Sequence, residues 1–280
     1  MSSAGVAKET LAILERGSYV APSGATVVVR AEVDAAVAGT VLHRPDDFAT
    51  LGLSGGMSGG EPAHVEVTSE TTAEAARRLV VDEGLAHVVA LNFASAKNPG
   101  GGFLGGAKAQ EEDLARCSAL YPCQLTQREY YDVNRATASM LYTDHIIYSP
   151  DVPFFRDEDL RLLESPFVVS IITAPAPNAG EAKRNGRSEG RHVREVLAAR
   201  ARKVVQVAAA HGHRVLVLGA WGCGVFRNEP AHVADAFARA LDDRAFAGAF
   251  DRVVFAIWER GTARPTGRAF AQRLGPEGRG

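Results

Sequence analysis

Short apolar runs without polar alternation punctuate the chain at Val88–Leu91, Phe167–Ile172, Val215–Leu218 and Val253–Ile257. They are rich in β-branched residues and read as strands buried on both faces of a mostly parallel sheet. Thr26–Val29 and His64–Val67 carry the same pattern more weakly. Helical spacing fills the intervals. Thr71–Gly84 opens with threonines and Glu74 and sets Ala75, Leu79 and Val80 near one face. Arg191–His211 places Val193, Leu197, Val204 and Ala208 on one stripe, with the Arg and Lys residues opposite read as a solvated face. Ala231–Leu241 and Thr262–Leu274 follow. Met1–Tyr19, with Glu9 and Glu15 among its apolar positions, reads as an amphipathic helix rather than a signal peptide. Such alternation predicts an α/β layered fold. The Gly- and Ser-rich stretch Leu51–Gly60 reads as a loop, dividing an N-terminal segment (1–60) from a main αβ body (61–280) packed with it as one unit.

Composition narrows the function. The chain has 280 residues, 46% hydrophobic and 23% charged, as in an ordinary globular protein. The formal net charge of -2 leaves no bulk positive field. Direct nucleic-acid binding by phosphate neutralisation is therefore not expected, and any polyanion must be held by backbone amides and helix ends. Cys117, Cys123 and Cys223 form no CxxC pair, so neither a disulfide framework nor a zinc site is read, and a reducing cytoplasm is the expected compartment. His87, His145 and His192 stand singly, so no metal and no cofactor is expected. No apolar run approaches the roughly 20 residues of a membrane span.

The chemistry lies in the loops that follow the strands, at the sheet edge where ligands of open α/β sheets bind. The densest is Asn98-Pro99-Gly100-Gly101-Gly102-Phe103-Leu104-Gly105-Gly106-Ala107-Lys108-Ala109-Gln110-Glu111-Glu112. Its glycines let backbone approach a ligand and aim amides at an anion. The formal GxGxxG match lacks the context of a dinucleotide fold, and no Lys-Ser or Lys-Thr follows to make a P-loop. Ala115, Cys117, Leu120 and Tyr121 continue a helix, so the acids fall in its first turn. There they complement the helix dipole, or serve as the acid of a glycosidase beside an anion-binding loop. Adjacent helical residues point about 100° apart, so Glu111 and Glu112 are expected to diverge and to divide their roles.

Three glycines, a short spacer and Gln110-Glu111-Glu112 resemble the signature of the poly(ADP-ribose) glycohydrolases. With Asn92, Asn98 and Pro99 before it, the segment is similar to the compact bacterial-type members, which are macrodomains. Gly219–Phe226 resembles that family's second, diphosphate-binding loop. The resemblance implies a macrodomain-like layered fold, a mostly parallel mixed sheet between helices with an N-terminal helical accessory. It implies cleavage of ribose–ribose O-glycosidic bonds of poly(ADP-ribose), mainly from the chain end, with ADP-ribose as product and ADP-ribosylated proteins as partners. By resemblance Glu112 is the catalytic acid and Glu111 orients a ribose hydroxyl. Asn98 contacts the terminal ribose, and Gly100, Gly101 and Gly102 line ribose and diphosphate. Gln110 completes the first set. Gly222, Cys223, Gly224 and Val225 present the second loop, and Phe226 packs on the distal ribose. Trp221 reads as core, and Asn178 as a border of the adenine pocket. The alternatives are a non-catalytic ADP-ribose reader and a mono-ADP-ribosyl hydrolase of the same fold.

A motif built from proton transfer and amide dipoles needs no metal. Saturating EDTA is expected to leave the release of ADP-ribose from polymer unchanged, and strict dependence on added magnesium would contradict this mechanism.

Overall fold

The computed structural model describes residues 2–53, 62–185 and 187–275. Most of the Leu51–Gly60 loop lies outside the described residues. The chain runs α1 (Ser3–Arg16), β1 (Ser18–Val20), β2 (Thr26–Val28), α2 (Arg30–Gly39), β3 (Val41–His43), β4 (His64–Thr68), α3 (Thr72–Arg77), β5 (Val88–Phe93), α4 (Gln110–Cys117), α5 (Leu120–Leu125) and α6 (Arg128–Ala136). It continues through β6 (Ile146–Arg156), β7 (Leu162–Ala174), α7 (Ala179–Asn185), α8 (Arg187–Ala210), β8 (Val215–Gly219), α9 (Pro230–Leu241), β9 (Arg252–Ala256) and α10 (Pro265–Leu274).

Seven strands form one sheet in the order β3-β6-β7-β5-β8-β9-β4. Its run from β7 to β4 is parallel, and β6 lies antiparallel between β3 and β7. The central strands lack polar alternation because both faces are covered. Val89 and Leu91 of β5, Leu216 and Leu218 of β8, and Val253 and Phe255 of β9 face a core with α8, α9 and α10. Val88, Ala90, Val215, Val217 and Val254 face the other core, with α1 to α5.

The expected strands at Val88, Phe167, Val215 and Val253 all form. Thr26–Val28 pairs instead with β1 in a two-stranded side sheet. The long strand β6 gives no apolar run in the sequence. Pro150, Asp151 and Pro153 interrupt it, and its register with β7 shifts between Ser149 and Val152, so it reads locally as a turn. The solvated-face reading of α8 fails at Arg200, whose side chain is 1% exposed. Its Nε donates to Asp144 Oδ1 at 2.7 Å, and its other nitrogens donate to the carbonyls of Pro175 and Tyr142.

The N-terminal segment is woven into the body. β3 belongs to the large sheet, and Ile13, Leu14, Val33 and Ala36 share a core with β5 and β7. Helix α1 is capped by Ser2 and ends at Gly17 in the left-handed conformation. Glu9 pairs with the buried Arg156, and Thr10 donates to the carbonyl of Arg116 on α4. Phe103, fully buried, packs between Ala7 and Leu11 of α1, Ala115 of α4 and Tyr121 of α5. A Cβ on Gly100 would lie 2.7 Å from its ring. Phe103 thus fastens the glycine segment to the helical layer.

Replacing Phe103 by Ala should cost about 3–5 kcal/mol, as for a fully buried aromatic ring. Urea unfolding measures this, and a loss below about 1 kcal/mol would show that the cluster is not a packing anchor.

Candidate active site

Strand β5 ends in a loop that turns back at Gly100 and Gly101, both in the left-handed region with φ of 65° and 59°. Consecutive left-handed residues are costly for anything but glycine. The Gly101 N–H donates to the carbonyl of Asn98, closing the turn. Asn98 itself is exposed, and its N–H donates to Ser95 Oγ. The chain then passes Phe103 and enters α4, whose first turn carries Gln110, Glu111 and Glu112.

Glu111 is 3% exposed. Its Oε1 accepts from Asn92 Nδ2 at 3.1 Å and Gln124 Nε2 at 2.8 Å, and its Oε2 accepts from the Ser95 N–H at 2.6 Å. Burial raises its pKa from 4.5 to about 7, outweighing the three N–H donors that pull it down, with the neighbouring Glu112 adding to the rise. Glu112 is half-buried, and its Oε1 accepts from the Gly102 N–H at 2.8 Å. A Cβ on Gly101 would lie 2.3 Å from Glu112 Oε1 and 3.1 Å from Glu111 Oε2. The two carboxylates therefore converge on one glycine. The expected divergence fails because these side chains are long enough to fold back toward the turn from neighbouring positions.

The first-loop amides are engaged within the protein. Gly100 N–H donates to Gln124 Oε1 at 2.8 Å, Gly101 N–H to Asn98, and Gly102 N–H to Glu112. One of them braces an acid and the other two hold the turn. The Gln110 amide is likewise spent. Its Oε1 accepts from Phe93 N–H, and its Nε2 donates to Leu91 O and Thr72 Oγ1. Gln110 fastens α4 to the end of β5 and to α3.

The second loop is built differently. Gly222, at φ 70°, sits where a Cβ would lie 2.4 Å from Asn228 Nδ2 and 2.5 Å from Ala176. Asn228, 3% exposed, donates to the carbonyls of Pro177 and Gly222 and holds the turn. Cys223 N–H donates to Ala220 O, while among the described residues the amides of Gly224, Val225 and Phe226 have no protein acceptor. A run of unspent amides is an anion cradle. Val225 is 83% exposed. Phe226 meets Tyr142 with ring centroids 5.9 Å apart, and its carbonyl accepts from Gly180 N–H. Burial pushes the Cys223 thiol up to about 12, so it is no nucleophile. Trp221 is fully buried, as expected, and donates to Ala174 O. Asn178 Oδ1 accepts from the Glu181 N–H in the first turn of α7.

Between the two loops, at the carboxyl ends of β4, β5, β8 and β9, lies a cleft of about 480 Å³ lined by Glu70, Thr72, Phe93, Gln110, Cys223 and Trp258 among others. Glu70, Phe93 and Trp258 were not legible as site residues. Their only sequence signal is position at or just beyond a strand end. Gln124, Ser95 and Arg200 were also missed. Arg200 ties the Tyr142 and Pro175 carbonyls behind the Phe226 wall. Among the described residues no group of His, Cys, Asp and Glu is arranged to hold a metal.

Residues 7–157 match the family model described as microbial-type PARG, catalytic domain. The fold is similar to the crystal structure of poly(ADP-ribose) glycohydrolase from Thermomonospora curvata, with 50% identity, TM-score 0.90, and 97% of this chain and 99% of that chain covered. It is similar to the same organism's enzyme bound to the inhibitor ADP-HPD, with 49% identity, TM-score 0.88 and the same coverage. It also resembles the Deinococcus radiodurans poly(ADP-ribose) glycohydrolase in complex with ADP-ribose, with 48% identity, TM-score 0.79, and 87% and 97% of the two chains covered. A comparison with curated proteins gives no match.

The Glu111 environment has a consequence for stability. Its folded-state pKa, about 7, lies above the ordinary 4.5. The contribution is therefore fully present below about pH 4.5 and is lost as pH rises through 7. Glu111→Gln titrates in neither state. The stability of the unaltered protein relative to this variant should fall by about 3 kcal/mol between those limits and stay flat above them. Denaturant unfolding across pH 4 to 8.5 measures it, and a pH-independent difference would show that Glu111 is ionised throughout.

Proposed function

The chain belongs to the microbial-type poly(ADP-ribose) glycohydrolases, and we propose that it hydrolyses the ribose–ribose O-glycosidic bonds of poly(ADP-ribose), mainly from the chain end, releasing ADP-ribose. The convergence on Gly101 of Glu111 and Glu112, which follow Gln110 of the cleft lining in the chain, carries this reading. The bond breaks between an anomeric carbon and the oxygen of the next ribose, through an oxocarbenium-like transition state. Glu112 gives its proton to the departing oxygen, which leaves as a hydroxyl. Water adds to the anomeric carbon and its proton returns to Glu112. Glu111, held by three donors, orients the ribose hydroxyls and faces the developing positive charge.

The free amides of Gly224, Val225 and Phe226 suit the diphosphate, and Asn98 is free to meet the terminal ribose. The adjoining cleft is of the size that takes a small molecule and suits the adenosine end. A wall of Phe226 and Tyr142 at the distal ribose favours a chain terminus over an internal bond. Proteins carrying the polymer are the macromolecular partners. A reducing, cytoplasmic setting suits three cysteines that remain free. Among the described residues no helix is long and apolar enough to cross a membrane.

Glu112→Gln keeps an acceptor for the Gly102 N–H and removes the transferable proton. It should slow ADP-ribose release from polymer by about 10² to 10⁴-fold while ADP-ribose binding persists. Turnover of purified polymer, calorimetry with ADP-ribose and circular dichroism test this together. A folded Glu112→Gln protein with near-normal turnover would overturn the assignment. Binding of ADP-ribose without any polymer cleavage by the unaltered protein would favour a reader. Cleavage of a protein carrying a single ADP-ribose would favour a mono-ADP-ribosyl hydrolase.

A further inference from the structure

Gln124 is fully buried on α5. That short helix follows α4 and is held in the core by Leu120 and Cys123. Its amide reaches two elements at once. Nε2 donates to Glu111 Oε1 and Oε1 accepts from Gly100 N–H, both at 2.8 Å. The other donors to Glu111, Asn92 and Ser95, come from β5 and the loop that leaves it. Gln124 alone among the three arrives from a separate element, and it alone also grips the turn whose next residue, Gly101, meets both carboxylates. A primary amide donates and accepts through one rigid plane. Met fills the same space and offers neither group. Lys offers no acceptor. An ionised Glu offers no donor.

We propose that Gln124 is a positioning residue for the hydrolysis, coupling the Gly100–Gly101 turn to Glu111 so that carboxylate and turn hold a single geometry. The inference rests on the glycohydrolase reading of the site. Two effects follow from removing the amide. Glu111 loses one of three N–H donors that favour its ionised form, and the buried Gly100 N–H is left without an acceptor. The titratable groups that face Glu111 are Glu112 on its own helix and Tyr130 and Tyr131 on α6. Asn92 of β5 and Gln124 of α5 meet it as uncharged donors, and Arg200 of α8 acts together with Glu111 on the neighbouring Tyr130.

The test uses the full chain carrying Gln124→Met or Gln124→Glu, with folding verified by circular dichroism. Two quantities are read: kcat and KM on polymer across pH, and the NMR titration of the Glu111 carboxyl carbon, assigned with Glu111→Gln. For Gln124→Met, kcat should fall by about 10-fold to 10²-fold, as for a misplaced catalytic geometry, with a smaller change in KM. The acidic limb of the rate profile and the carboxyl midpoint should both rise by about one unit. Gln124→Glu preserves size and sets a second carboxyl against Glu111, so the midpoint should rise further. It carries the test should the Met variant fail to fold.

Folded variants whose acidic limb and carboxyl midpoint match the unaltered protein would overturn the proposal. The NMR readout does not depend on turnover. If the unaltered protein cleaves no polymer but the midpoint still moves, the glycohydrolase reading falls and the coupling through Gln124 stands.

Discussion

A carboxylate buried without a counter-ion is the constraint around which this protein is arranged. Among the described residues Glu111 makes no ion pair, and its oxygens rest on three N–H donors. Desolvation of that kind is tolerable only when the oxygens are fully hydrogen-bonded. Each donor must then be delivered by an element fixed elsewhere: Asn92 by the central strand, Ser95 by the loop that leaves it, and Gln124 by α5. The glycines before α4 follow from the same demand. A side chain at Gly101 would occupy the space of the two carboxylates, and Phe103 secures the turn to α1 so that the gap stays open.

The two loops divide the work between rigidity and vacancy. The first spends its amides on Gln124, on the Asn98 carbonyl and on Glu112. The second leaves successive amides open beside an exposed Val225 and an aromatic wall. With a net charge of -2, attraction for an anionic ligand has to be local, and dipoles held at a fixed turn supply it without a general positive field. Asn228 and Arg200, both buried and both bonded to backbone carbonyls, keep that turn and wall from collapsing into the space they border.

The sequence made the layered fold legible wherever strands were buried on both faces, since continuous apolar runs leave little else to be. It made β6 illegible because prolines and a register shift belong to local turn grammar as much as to a bulged strand. The glycines and the two acids were readable as a unit. The destination of each amide was not, because a hydrogen-bond partner such as Gln124, which lies 24 residues from Gly100, carries no spacing signal. Arg200 looked like one more charge on a helix face, and only Asp144 and two distant carbonyls reveal it as a buried strut. The bonds by which the Gln110 amide closes the gap between β5 and α3 likewise carry no spacing signal.

The sheet's edge also dictates a sequence of events in time. Strand β4 opens the main body in chain order, yet in the large sheet it pairs with β9, His64 facing Arg252. The cleft lies at the carboxyl ends of these strands and of β5 and β8 between them. A chain emerging from the ribosome can settle α1 against α4 early, but the cleft is not closed until β9 and the residues after it, Trp258 and Thr266 among them, have been made. Closing so distant a pair is among the slower steps open to a folding chain. A partly synthesised chain therefore carries its reactive acids without a finished place for a ligand beside them.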